Sequence, residues 1–173
     1  MKICIDSYPF VTSPRIGPKI FLNRLSDCLS KNFKNVSIYP RFNPFYEIAL
    51  FSTINKSLFK KPYVVRLDGL FIDKQNTNYN SILENKKIVS SVNYSSGVVF
   101  VSKYCKEIYE HLFGKLKKPH KIINNGVPLD TFNPIGKNFR SELKIEDNQF
   151  VLISSASWRR HKRLEETIKF FKI

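Results

Sequence analysis

Short runs of apolar and β-branched residues recur at positions 3–5, 36–39, 63–67, 98–101, 122–123 and 150–154, a length and composition that predict strands. Between the first two runs, Phe21, Leu22, Leu25, Cys28, Leu29 and Phe33 recur at helical spacing. Residues 19–33 therefore read as an amphipathic helix, with Gly17 and Pro18 suited to its cap and first turn. Residues 44–58 read as a second helix and 82–93 as a third. Residues 103–113 read as a fourth, with Cys105, Ile108, Tyr109 and Leu112 along one side. A last strand and helix are expected over 148–155 and 162–172, where Leu164, Ile168 and Phe171 share a face. Strands alternating with helices predict an α/β chain, a parallel sheet with helices on both faces. Ligands of such sheets sit at the carboxyl ends of the strands. The segments to inspect for chemistry are thus 6–18, 68–80, Ser102 and 124–128.

Composition narrows this picture. The 173 residues fill one core, whereas two complete lobes of this type need roughly double that length. Hydrophobic residues at 42% and aromatics at 14% exclude a disordered chain. Pro128, Pro134 and Gly136 in a stretch of little periodicity mark a boundary, and no internal repeat is visible. The formal charge of +15 favours an anionic partner of some kind. Basic residues are densest at 115–121 and 159–172, and a solvated face explains either cluster equally well. Cys4, Cys28 and Cys105 form no C-x-x-C pair, which argues against a disulfide framework or zinc ribbon and for a reducing compartment. His111, His120 and His161 lack metal-ligand spacing and there is no D-x-D pair, so no metal is expected. The apolar run before Asp6 is too short for a signal sequence or a membrane span. A cytoplasmic protein able to rest on a membrane surface is the expectation.

Five local patterns carry candidate chemistry. Asp68, with Gly69, follows a strand, where its carboxylate can accept a hydrogen bond or a proton from a hydroxyl, or merely shape a turn. Asn125 and Gly126 suit a tight turn at positive φ. Arg159, Arg160, Lys162 and Arg163 follow an apolar run and open a helix, so cations and free N–H groups converge where a phosphate would bind. A solvated basic helix start is the plain alternative. Ser102 suits the N-cap of the helix after it and sits where it can line a cleft. Gly17 either caps a helix or lets backbone N–H groups approach a phosphate.

The order of four segments says more than any one of them: VVRLDG at 64–69, GVVFVSKYCKE at 97–107, KIINNGVPLDTFNP at 121–134 and VLISSASWRRHKRLEETI at 151–168. Together they resemble glycosyltransferase family 4, whose members have the GT-B fold of two facing Rossmann-like lobes. The resemblance implies an acceptor-side lobe over 1–126, a linker over 127–147 and the start of a donor-binding lobe over 148–173, where the chain is expected to break off. It implies transfer of a sugar from a nucleotide-sugar donor to a glycan or lipid-linked acceptor with retention, without a metal or other cofactor. Asp68 falls where many members carry His-Gly, which implies a catalytic place in the cleft. Lys162 aligns with the family lysine that stabilises the departing diphosphate. The family arginine lies five residues earlier, at Ser157 here, so Arg159 or Arg160 would stand in for it. Gly17 corresponds to the glycine-rich turn facing the donor phosphate, and Asn125 and Gly126 to the hinge between lobes.

Two other readings compete. The charge, and aromatics near basic residues such as Tyr104, Tyr109, Phe113 and Trp158, fit a nucleic-acid-binding module, but no RRM, KH or zinc-finger signature supports it and no nucleic acid is expected. A non-catalytic lobe is the other, acting as a subunit or holding residues 115–121 against anionic lipid.

Overall fold

The computed structural model describes residues 1–6, 17–55, 57–71, 80–132, 135–136, 139–153 and 163–171. Six strands, β1 (Lys2–Ile5), β2 (Ser37–Tyr39), β3 (Ile48–Ser52), β4 (Tyr63–Leu67), β5 (Gly97–Phe100) and β6 (His120–Ile122), make one sheet. Every pairing is parallel, in the order β2-β1-β3-β4-β5-β6. Helices α1 (Gly17–Asn32), α2 (Ser81–Tyr94) and α3 (Lys103–Phe113) flank it, a Rossmann-like α/β arrangement. Two short helices, α4 (Phe139–Glu142) and α5 (Leu164–Phe171), come after the sheet in the chain. Among the described residues no helix is long and apolar enough to cross a membrane.

The chain divides into two compact units, Met1–Asn125 and Gly126–Ile173. In the first, alternation along the strands decides which side chains meet which helices. Cys4, Ala49, Phe51, Tyr63, Val65, Leu67, Val98 and Phe100 form one buried cluster with Ile88 and Val92 of α2 and Cys105 and Tyr109 of α3. Edge-on and tilted aromatic pairs, Phe51 with Tyr63 and Phe100 with Tyr109, tie neighbouring elements within it. Arg66 lies between Val65 and Leu67 and so points to the other face, where its guanidinium sits 3.8 Å from the ring centre of Phe21 on α1. In the second unit, Arg140 donates to the carbonyls of Glu146 (2.7 Å) and Gln149 (3.0 Å), closing the turn after α4.

The helix expected over 44–58 is absent; β3 occupies its centre. Ile48 to Phe51 are apolar without interruption because a strand between β1 and β4 is covered on both faces. A helix reading of so short an apolar run confuses two elements that periodicity does not separate. Asn43 and Asn55 flank the strand and accept from the N–H groups of Phe45 and Ser57, forming Asx turns that stop it at either side. The strand expected over 150–154 is likewise not formed at 150–153. Phe150 and Ile153 are each 88% exposed, and an isolated strand has no partner for its backbone groups. The helical faces also shift: among the described side chains of α1, Leu22 and Ser26 are the buried ones, while Cys28, Phe33 and Leu112 are exposed.

Because Phe51 is fully buried in the central strand, Phe51→Ala should cost about 3–5 kcal/mol in a urea unfolding titration. A loss below about 1 kcal/mol would mean that the segment is not in the core.

Candidate functional site

A parallel sheet brings the ends of its strands to one edge, and here that edge gathers polar side chains. Ser52 closes β3, Asp68 comes directly after β4, Ser102 after β5, and Asn125 lies beyond β6. Their centre is Arg66, 3% exposed and one residue short of the end of β4. Its guanidinium forms an ion pair with Asp68 and donates to the Oδ1 of Asn125 at 2.7 Å, with Phe21 stacked against its plane. The Ser52 hydroxyl donates to Oδ2 of Asp68 at 3.2 Å. Both carboxylate oxygens therefore have partners that fix the side chain's position.

Burial dominates the protonation behaviour of this pair. It raises the Asp68 carboxyl above the ordinary value, against the pull of Arg66 and of the Ser52 hydrogen bond. It lowers the Arg66 guanidinium, against the opposing effect of Asp68. Beside them, Thr53 holds φ at 69°, a left-handed conformation that a β-branched residue adopts only under constraint. Its N–H donates to the Arg66 carbonyl at 2.8 Å, so the strain sits against the strand that carries the pair.

A cavity of about 230 Å³ opens on Asp68. Leu70, Ile108 and Cys105 supply apolar wall, and Ser102 and Tyr104 line it with polar groups. Ser102 is the N-cap of α3, accepting from the N–H of Cys105 at 3.1 Å. The Cys105 thiol donates to the Leu67 carbonyl at 3.3 Å, and burial pushes it up to about 11, so it is no nucleophile at neutral pH.

Of the residues singled out in the sequence, Asp68 and Ser102 line this cavity, and Asn125 joins the cluster through Arg66. Gly17 opens α1, and the segment before it lies outside the described residues. Arg159, Arg160 and Lys162 also lie outside them, as does Ser157. The positive φ expected of Asn125 and Gly126 is not used: Gly126 avoids the left-handed region and Asn125 is not among the residues that occupy it. Asn125 works instead through its side chain, because a buried guanidinium needs acceptors that the sheet alone does not supply. Gly69 likewise avoids positive φ. Arg66 and Phe21 were not anticipated as a stacked pair. The available signal was an arginine inside an otherwise apolar strand, which cannot stay buried without partners. Among the described residues no group of three or more His, Cys, Asp or Glu side chains could hold a metal ion.

No family model matches the chain, and no curated protein or solved structure matches it.

Asn125→Ala leaves part of the Arg66 guanidinium unpaired and should cost about 1–3 kcal/mol in urea unfolding. Asn125→Asp keeps the acceptor and should recover most of the loss; equal losses in both variants would show that the hydrogen bond does not matter. The thiols of Cys4 and Cys105, each pushed up to about 11, are buried, whereas Cys28 is exposed. At pH 8 a thiol with that value is ionised on the order of one part in a thousand. Mass spectrometry after brief alkylation should therefore find one adduct, on Cys28, in the native protein and three after unfolding.

Proposed function

We propose that the chain is the acceptor-side part of a retaining sugar-nucleotide glycosyltransferase of the family 4 type, with Asp68 meeting the acceptor hydroxyl. One observation carries the reading. A partly buried carboxylate stands at the carboxyl end of a central parallel strand, held by Arg66 and Ser52, and lines a cavity. That is where α/β sheets take their ligands. A carboxylate so placed orients an acceptor hydroxyl by accepting its hydrogen bond. It then takes the proton as that oxygen attacks the anomeric carbon on the same face from which the nucleoside diphosphate departs with the bonding electron pair, so the configuration is retained. Its raised proton affinity favours this step over that of an exposed aspartate.

Arg66 positions Asp68 rather than touching substrate, since its guanidinium is buried under Phe21. Leu70 and Ile108 offer apolar surface to the ring faces of a glycan, and Ser102 and Tyr104 offer hydroxyls to its polar edges. The departing diphosphate falls to Arg159, Arg160 and Lys162, with Gly17 near the donor, as the four-segment resemblance implies. Asn125 and Gly126 serve as the hinge in that scheme, at the division between the two compact units. The charge of +15 suits an anionic donor and a cytoplasmic enzyme working at an anionic membrane surface.

The product of the whole open reading frame should transfer labelled sugar from at least one of a panel of nucleotide sugars to glycan or lipid-linked acceptors. Asp68→Asn should lower that turnover by about 10²–10⁴-fold while leaving the circular dichroism spectrum unchanged. Transfer that survives the substitution would remove Asp68 from the chemistry. No transfer with any donor would count against the glycosyltransferase reading itself.

A further inference from the structure

The opposite, amino end of the sheet carries a larger cavity, of about 630 Å³. Its walls are the connection from β3 to β4 and the last turns of α2, at Ser90, Ser91 and Tyr94. Hydrogen bonds tie the described residues of the connection to their neighbours. The Asn55 N–H donates to the Ser91 hydroxyl at 2.9 Å, and the Ser57 hydroxyl donates to the Phe59 carbonyl at 2.7 Å while meeting the Tyr46 hydroxyl at 2.7 Å. Tyr63, at the start of β4, donates to the Ser91 carbonyl at 2.9 Å and locks α2 against the same wall. A cavity of this volume falls in the range of small-molecule sites and has room for a monosaccharide.

The chemistry of the lining is one-sided. Lys60 and Lys61 both line it, and no carboxylate does among the described residues. The Lys61 ammonium donates to the carbonyls of Pro44 (2.5 Å) and Tyr46 (2.6 Å) and lies 5.2 Å from the Tyr46 ring centre, so it adds positive charge to the wall while its donors are engaged there. Lys60 is exposed and has no ion-pair partner among the described residues. The site therefore holds uncompensated positive charge over a low-dielectric wall, which focuses its field on an anion. Tyr94 lines the cavity and is 80% exposed, which leaves most of its ring accessible. Ser90 and Asn55, also in the lining, bring side chains able to hydrogen-bond.

We propose that this cavity is a binding site for an anionic monosaccharide, its phosphate or carboxylate held by Lys60 beside Lys61 and its ring laid against Tyr94. The site is separate from the Asp68 cavity and does not depend on the glycosyltransferase reading. Both wall elements meet at Tyr63, which starts β4, the strand directly before Asp68.

Titration calorimetry and saturation-transfer NMR on the full chain would use glucose 6-phosphate, glucuronate, glucose, inorganic phosphate and a short oligouridylate. At least one of the two anionic sugars should bind tenfold or more tightly than both glucose and inorganic phosphate, and which one does identifies the anion. Lys60→Ala and Tyr94→Ala, both exposed and expected to leave the unfolding midpoint unchanged, should each weaken that binding at least tenfold. Binding that both variants leave intact, inorganic phosphate binding as well as the sugars, or no sugar binding at millimolar concentration would overturn the proposal. Oligouridylate binding lost in the same variants, without sugar binding, would replace it with a nucleic-acid surface.

Discussion

A guanidinium inside a parallel sheet has to be satisfied, and the carboxyl end of this sheet is arranged around that requirement. Taking a charge out of water costs several kcal/mol unless opposite charge and hydrogen-bond acceptors replace the lost hydration. Arg66 obtains its opposite charge from Asp68, two residues along the same strand direction, and its neutral acceptor from Asn125, after β6. The ring of Phe21 covers the plane that hydrogen bonds cannot serve. Three segments far apart in the chain are thereby drawn to one point. The chemical consequence is a carboxylate that is immobilised, partly shielded from solvent and open to a cavity on its remaining side.

This arrangement explains why strain collects nearby. Thr53 adopts a left-handed backbone next to Ser52, and its N–H is spent on the Arg66 carbonyl. Ser52 itself is held in register opposite Arg66, which brings its hydroxyl to Asp68. At the other end of β4, the connection that begins after Ser52 forms the wall of the basic cavity, so one loop serves both ends of the sheet.

Much of the fold was legible in the sequence, for identifiable reasons. The apolar runs of β1, β4 and β5 and the helical stripes of α2 and α3 are long enough, and bounded by clear enough signals, to fix their type. Ser102 announced its cap by standing directly before a periodic segment. The misreadings have physical causes too. Residues 44–58 contain a fully covered strand whose apolar run carries no period, and its Asx turns depend on Asn43 and Asn55 rather than on glycine. The run at 150–153 has strand composition and no partner. Asn125 looked like a backbone residue because Asn-Gly is a common turn pair. Only the position of Arg66, 59 residues away, shows that its side chain is what matters.

By itself the sequence determined the α/β class, the parallel sheet and the presence of an aspartate at the end of a central strand, because each rests on local periodicity and chain order. The tertiary structure decided which groups surround that aspartate. A hydrogen bond between β4 and the segment beyond β6, a ring from α1 on a guanidinium and a basic cavity at the far end of the sheet are all long-range juxtapositions. No local pattern encodes them, since each depends on how far one strand is displaced from another once the core has closed.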